Sequence, residues 1–266
     1  MKEPQASVLL CVYNPEKSEL IQAVGSIIKQ TFLDWEMILY DDGSDSIHKE
    51  YIYEISCLDD RIHYVRNEKH KSLAHGLNES MKLARGKYLA RMDGDDISHP
   101  GRFEKQIQFL EKHTEIMWVG SNISLIDEKG NKWGERRFSK SPGKKEFLKF
   151  SPYAHPSIII RREALLAYGG YNTDKHPYRS EDYELFMRLH AAGEQGVNLQ
   201  EFLLDYRETK DAYKKRTLYF QLQEAGVRLE GFRRLGILNP YTFIYVIKPI
   251  IVWLLPNKLI YAIKRR

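Results

Sequence analysis

Cysteine is scarce in this sequence, whose 266 residues include only Cys11 and Cys57. Two cysteines are too few for a disulfide framework, and these two do not show the spacing of a metal-binding motif. We therefore interpret both as packing residues and expect the protein to work in a reducing compartment.

Standard phosphate-binding loops and long apolar runs are missing as well. No G-x-G-x-x-G follows a predicted strand and no G-x-x-x-x-G-K-S/T occurs, which disfavours a Rossmann cofactor site and a P-loop. The purest apolar run, FIYVIKPIIVWLL, contains Lys248 and Pro249 and is shorter than the about 20 residues that a membrane-spanning helix needs. The N-terminal segment lacks a signal-peptide pattern, so we expect a cytoplasmic protein.

Charge is distributed unevenly along the chain. Residues 211–266 contain eleven Lys or Arg and three Asp or Glu, a net charge of +8, whereas the whole chain carries +5. Subtracting one from the other leaves −3 for the residues before 211. A basic tail on a mildly acidic body predicts an anionic partner, either a membrane surface or nucleic acid.

The first half of the chain alternates apolar runs with helical periodicity, which predicts parallel strands joined by crossover helices. The predicted strands are residues 7–13, 35–40, 61–65 and 87–92. One of the helices between them carries Leu73, Leu77 and Ala84 and is predicted to end at Gly86. In the second half, a hairpin is predicted over residues 117–138 and another strand over 157–162, so the pattern becomes mixed.

Two acidic segments directly follow predicted strands: DDGSD at residues 41–45 and DGDD at 93–96. The carboxyl ends of strands in a doubly wound sheet meet at one crevice, where ligands bind. Asp93, Asp95 and Asp96 place three carboxylates in four positions, and a divalent cation shared with substrate phosphates would relieve their repulsion. Ordinary turn chemistry or a solvated acidic loop is the alternative interpretation.

A third acidic segment, SEDYELFMRL, places Glu181 and Asp182 at the start of a predicted helix. Acids at this position commonly complement the helix dipole. If the helix end faces the crevice, one of the two carboxylates can instead serve as a general base.

These pieces in this order resemble the family 2 glycosyltransferases with the GT-A fold. The resemblance covers roughly residues 7 to 190 and rests on SVLLCVYN, IIKQTFLDWEMILYDDGSD, LNESMKLARGKYLARMDGDD, AHPSIIIRREALLAYGGY and RSEDYELFMRL. It implies a Rossmann-like mixed central sheet flanked by helices. It also implies transfer of a sugar from a nucleotide-diphospho-sugar, UDP above all, to an acceptor hydroxyl, with inversion at the anomeric carbon.

The resemblance also implies which residues bind the nucleotide. It implies that Asp42 binds the base, with help from the backbone of Cys11, Val12 and Tyr13. Asp93 would contact the ribose or metal-bound groups.

The same resemblance implies a metal and a base. Asp95, with Asp93, would ligate magnesium or manganese, and Asp182 would be the catalytic base with Glu181 as its supporting partner. His155 could line the acceptor side or approach the metal, or it could be a hydrogen-bonded histidine at a strand entry. Relatives often carry Tyr-Arg-x-His where this chain has YRET at 206–209, so a late histidine ligand is not expected.

The implied domains are a catalytic domain over 1–210, with a nucleotide-sugar half (1–97) and an acceptor half (98–210), and a helical extension over 211–266. The implied acceptor is a glycan, carried on a polyprenyl diphosphate, in assembly of O-antigen, capsule or exopolysaccharide. We expect the basic extension to bind the inner face of the cell membrane peripherally, without nucleic acid as a partner.

Three alternatives remain open at this point. A glycosidase would also use paired carboxylates, but it does not explain two acidic clusters at successive strand ends. A sugar nucleotidyltransferase would need a glycine-rich basic loop near the N-terminus, which the sequence lacks. A non-enzymatic module that binds nucleotide or nucleic acid would show salt-sensitive binding of nucleic acid.

Overall fold

The computed structural model describes residues 3–173, 180–208 and 217–254. The chain forms two compact units. The first consists of Met1–Pro142, Tyr153–Tyr171 and Gln195–Arg207, and the second of Gly143–Pro152, Asn172–Glu194 and Glu208–Arg266. The division into 1–97, 98–210 and 211–266 concerns functional parts and stays a prediction.

Nine strands within the described residues form one mixed sheet, which lies in the first unit. They are β1 (Ala6–Val12), β2 (Trp35–Asp41), β3 (Ile62–Arg66), β4 (Tyr88–Met92), β5 (Ile97–Ser98), β6 (Trp118–Ile126), β7 (Lys132–Arg136), β8 (Ile159–Arg161) and β9 (Gly196–Arg207). Their order is β3-β2-β1-β4-β8-β6-β9-β5, with β7 paired to β6.

The first four strands confirm the predicted parallel half. β1 pairs in parallel with β2 and β4, and β2 with β3. Every residue of β1, β2 and β4 is buried, as expected of strands covered on both faces by helices. The second half is mixed: β8 runs antiparallel to β4 and β6, whereas β9 runs parallel to β6. The predicted mixed central sheet is therefore confirmed.

The helices of the first unit are α1 (Lys17–Ile28), α2 (Ser46–Ser56), α3 (Leu73–Leu83), α4 (Arg102–Lys112) and α5 (Arg162–Ala167). The second unit contains α6 (Glu181–Ala191), α7 (Leu218–Leu235) and α8 (Phe243–Trp253). Short 3-10 helices occupy Lys144–Leu148 and His155–Ser157. None of the helices in the described part of the chain is long and apolar enough to cross a membrane.

The sequence missed one strand, and two of its predictions need correction. The twelve-residue strand β9 was not predicted, because its buried and exposed positions do not alternate regularly and its register to β6 shifts near Asn122. The strand predicted over 157–162 is shorter, since Ser157 belongs to the 3-10 turn. Gly86 does not cap α3, which ends at Leu83. A side chain on Gly86 would instead lie 2.6 Å from Ser7 N in β1.

The basic extension is helical where it is described. Thr217 caps the start of α7, where its side chain accepts a hydrogen bond from the Phe220 N–H, and Gly236, whose φ is +71°, caps its end. Arg228 of α7 is buried and donates to the carbonyls of Leu148 and Tyr245, which ties α7 to α8 within the second unit. The described residues do not include the last four basic residues of the chain, which are Lys258, Lys264, Arg265 and Arg266.

Candidate active site

The three carboxylates of the acidic segment, which include the predicted metal ligands Asp93 and Asp95, come together in the turn between β4 and β5. One oxygen from each of Asp93, Asp95 and Asp96 lies within 4.8 Å of the others. Gly94 allows this turn to press against β1, because a Cβ there would lie 2.8 Å from Val12 Cγ1. The sequence placed this cluster correctly at a strand end.

A buried cation lies beside the cluster. The guanidinium of Arg91 is 3% exposed and forms an ion pair with Asp93. It also donates to the carbonyl of Met92. The sequence analysis assigned the balancing charge to a divalent cation and missed this partner. The available signal was an arginine inside an otherwise apolar strand.

A second arginine, which lies at the end of β9, also stabilises the acidic loop. The backbone N–H of Arg207 donates to Asp96 Oδ1 at 2.9 Å, and its Nε donates to the Asp95 carbonyl at 2.8 Å. Its Nη1 donates to the Asp127 carbonyl, and its Nη2 to Gln22 Oε1. Arg207 belongs to the YRET segment, and its role was missed because β9 was missed.

Two carboxyls of the cluster have raised pKa values. Burial, and next the charge of Asp93, raise the pKa of Asp95 to about 7. Burial, with Asp93 and Asp95, raises the pKa of the fully buried Asp96 well above its usual range. The Oδ2 atom of Asp96 is buried and has no hydrogen-bond partner among the described residues.

This donor set fits a hard divalent cation. Carboxylate oxygens are the ligands that Mg²⁺ and Mn²⁺ favour. Asp93 and Asp95 would hold the cation, and the unpartnered buried Oδ2 of Asp96 leaves a further carboxylate oxygen available beside them.

Asp42 lies at the end of β2, and its carboxylate is buried. Its N–H donates to the Val12 carbonyl at 2.9 Å, which ties it to the end of β1. The carboxylate accepts the Lys71 N–H at 3.1 Å and Asn67 Nδ2 at 3.3 Å, and its Oδ2 lies 2.9 Å from Nδ1 of His70. The loop before α3 therefore surrounds Asp42, which the sequence did not indicate.

The end of β1 presents one exposed and one buried side chain. Tyr13 is 49% exposed, and its ring stacks on His70 with centroids 3.9 Å apart. Cys11 faces inward, since a Cβ on Gly76 of α3 would overlap its sulfur. Burial raises the pKa of the Cys11 thiol to about 12, so it stays neutral. Cys57 is exposed, and its predicted packing role is wrong.

His155 lies in the 3-10 turn before β8 and is buried. Its Nε2 lies 2.8 Å from the hydroxyl of Tyr171. Burial, with the nearby charge of Arg91, lowers the pKa of the His155 ring well below its usual range, so the ring is neutral. This placement matches the hydrogen-bonded alternative, and the acceptor-side role stays a prediction.

Glu181 and Asp182 occupy the first turn of α6, in the second unit, and both are half-buried. The helix forms as the sequence predicts, with Leu185, Phe186 and Leu189 buried along it. The roles of the two acids as base and supporting partner stay predictions.

The comparison with protein families shows to which family the chain belongs. The family model "Glycosyl transferase family 2" matches residues 7–169, a segment that contains Asp42 and the whole acidic cluster. The chain belongs to glycosyl transferase family 2. Glu181, Asp182 and Arg207 of this glycosyltransferase lie beyond the matched segment.

Individual relatives agree with the family. The glycosyltransferase is 37% identical to EpsE of Bacillus subtilis, named as a glycosyltransferase, over 95% of this chain and 90% of EpsE. It is 27% identical to an Escherichia coli protein named UDP-Gal:alpha-D-GlcNAc-diphosphoundecaprenol beta-1,3-galactosyltransferase, over 96% of this chain and 93% of that protein.

A solved structure supports the fold. S. aureus TarS, in complex with UDP-GlcNAc, superimposes with a TM-score of 0.67 at 16% identity, covering 91% of this chain and 70% of the TarS chain. The glycosyltransferase has the GT-A fold.

Proposed function

We propose that this family 2 glycosyltransferase transfers a sugar from a UDP-sugar to a hydroxyl group of a lipid-linked glycan in cell-surface polysaccharide assembly. The observation that carries the proposal is the cluster of Asp93, Asp95 and Asp96 on the same sheet edge as Asp42. β2, β1 and β4 are parallel neighbours, so their carboxyl ends lie side by side.

The donor half of the proposal uses residues of the first unit. Asp42 and Tyr13 would bind the nucleobase, with the backbone of Cys11 and Val12 beside it. Asp93 and Asp95 would hold Mn²⁺ or Mg²⁺, and Asp93 would also approach the ribose. When bound, such a cation neutralises charge that develops on the departing nucleoside diphosphate.

The acceptor half of the proposal uses the start of α6. Asp182 would accept the proton of the attacking hydroxyl, and Glu181 would support it. The hydroxyl oxygen then displaces the nucleoside diphosphate directly, which inverts the anomeric carbon without a covalent sugar-enzyme intermediate.

One relative supports the proposed class of acceptor. The name of the E. coli relative specifies a UDP-sugar donor and a diphosphoundecaprenol-linked acceptor. The net charge of +8 over 211–266 would favour peripheral binding to the anionic inner face of the membrane, where such an acceptor resides.

The test is a screen of sugar nucleotides with Mn²⁺ and a polyprenyl-diphosphate-linked glycan, in which released nucleoside diphosphate and glycan product are measured. We expect one UDP-sugar to support transfer. In Asp182→Asn, turnover should fall by about 10²-fold or more while donor affinity stays unchanged, because a positioned base acts on the acceptor. Normal turnover of the variant, or parallel loss of donor binding, would place the base elsewhere.

A further inference from the structure

The loop that joins β3 to α3 folds over the end of β2. The Lys71 N–H donates to Asp42 Oδ2 at 3.1 Å, and Asn67 Nδ2 donates both to Asp42 Oδ1 at 3.3 Å and to the Lys69 carbonyl at 2.8 Å. Gly43 has a φ of +82°, and a Cβ there would lie 2.5 Å from the backbone nitrogen of His70. The absence of a side chain at Gly43 thus lets the loop reach Asp42.

The loop places an imidazole between two side chains of the donor site. The His70 ring stacks on Tyr13 with centroids 3.9 Å apart and an interplanar angle of 25°. Its Nδ1 lies 2.9 Å from Oδ2 of the buried Asp42 carboxylate. One planar ring therefore contacts an aromatic face and a carboxylate at once.

A pyrimidine base offers the same two features as this imidazole, namely a flat ring for stacking and a ring nitrogen that faces a carboxylate. We propose that His70 is a donor-site residue whose ring occupies the nucleobase position in the free enzyme and leaves it when the donor binds. The inference rests on the proposed function, since it takes Asp42 and Tyr13 as the base-binding pair. Two rings cannot share the same face of Tyr13 and the same carboxylate oxygen.

The exchange has a thermodynamic consequence. Donor binds only to molecules in which His70 has left, so the apparent dissociation constant equals the intrinsic one divided by the fraction of open molecules. Removal of the imidazole should therefore strengthen binding of a nucleoside diphosphate. The side chain of His70 is 41% exposed, so its truncation leaves the core intact.

The experiment is a calorimetric titration with Mn²⁺ and whichever of UDP, GDP, CDP and ADP binds most tightly. For His70→Ala we expect the nucleotide affinity to rise about twofold to tenfold, which corresponds to the free energy of one aromatic stacking contact. His70→Phe keeps a ring on Tyr13 without the nitrogen and should fall between wild type and His70→Ala. In wild type, the His70 imidazole NMR signals, assigned from their absence in His70→Ala, should shift on saturation with nucleotide.

The outcomes distinguish the role of His70 from the existence of the donor site. If His70→Ala leaves the affinity unchanged or weakens it, His70 does not compete with the base and the inference fails, even though the donor site stands. Asp42→Asn tests the site itself: unchanged affinity in this variant, or no binding of any nucleotide by wild type, would reject the donor site regardless of His70.

Discussion

The pKa of the Asp95 carboxyl lies near neutral pH. Burial, and next the charge of Asp93, raise it to about 7, and burial with the charges of Asp93 and Asp95 raises the pKa of Asp96 well above its usual range. A cation needs ionised oxygens, so its binding must displace protons from these carboxyls.

This competition predicts that Mn²⁺ affinity rises with pH. Below pH about 7 Asp95 keeps its proton, so each proton that the cation displaces should weaken Mn²⁺ binding by up to about tenfold per pH unit. Calorimetry from pH 6 to 8, in buffers of different ionisation enthalpy, measures both affinity and proton release. Affinity that does not change with pH would contradict the assignment of Asp95 as a ligand.

Removing the ion pair between Arg91 and Asp93 should destabilise the protein, and a bound cation should offset part of that loss. Arg91→Met should lower the free energy of unfolding by about 2–3 kcal/mol, below the usual cost of breaking a buried pair because Asp93 is partly exposed. Saturating Mn²⁺ should recover part of the loss, since the cation then neutralises Asp93. Urea unfolding with and without Mn²⁺ is the measurement.

A control ion pair joins β2 to the segment before β4, and in this pair the carboxylate is buried and the arginine is exposed. Arg85 donates to the buried carboxylate of Glu36 at 2.8 Å, in the first residues of β2, away from the acidic loop. Arg85→Met should also destabilise the protein, but Mn²⁺ should not relieve that loss. Equal effects of Mn²⁺ on both variants would show that Arg91 has no special relation to the cation site.

Helix α3 packs against β1 through a glycine and a sulfur. Because a Cβ at Gly76 would overlap Cys11 Sγ, Gly76→Ala should cost about 1–3 kcal/mol by overpacking. Adding Cys11→Ala should restore part of that stability, since the two substitutions share one contact. Chemical denaturation of both single variants and the double variant measures the coupling, and strictly additive losses would contradict the packing role of Cys11.

The strands differ in how well the sequence reveals them. β1, β2 and β4 are buried at every position, so their continuous apolar runs are visible in the sequence. β9 contains exposed Gln200 and Glu201 within a strand that shifts register, so no period-2 pattern appears. The role of Arg207, which stabilises the acidic loop through backbone contacts, depends on that strand and could not be predicted without it.

The two compact units divide the proposed chemistry between them. The acidic cluster and Asp42 belong to the first unit. A sequence pattern can locate the ends of the strands in this unit. Asp182 belongs to the second unit, at a helix start where an acid is ordinary. Its role was implied by family resemblance and not by local physics.

Membrane attachment of the second unit can be tested without unfolding it. Removing residues 236–266 would delete α8, whose Val246 and Pro249 are buried, so substitution of exposed positions is preferable to truncation. Three exposed apolar residues on and beside α8 suit this test: Tyr241 (89%), Ile244 (51%) and Leu254 (71%). A matched set of similar exposure in the first unit consists of Leu33 (69%), Ile47 (73%) and Leu58 (56%).

We expect replacement of the first set by serine to reduce flotation with anionic liposomes, because interfacial helices bind by burying apolar side chains among headgroups. The same replacement in the matched set should leave flotation unchanged. If wild-type protein stays in the soluble fraction, or if both triple variants float equally, the membrane role of the second unit is wrong.

We test the proposed cation-dependent nucleotide site at the β2, β1 and β4 ends by titrating UDP into the enzyme in Mn²⁺ and in EDTA. We expect Mn²⁺ to strengthen UDP binding by about 5- to 150-fold, the usual range for coupled ligands. Asp95→Asn should abolish that gain, while Asp182→Asn in the other unit should keep it. Equal UDP affinity of the wild-type enzyme in Mn²⁺ and in EDTA would contradict the proposal.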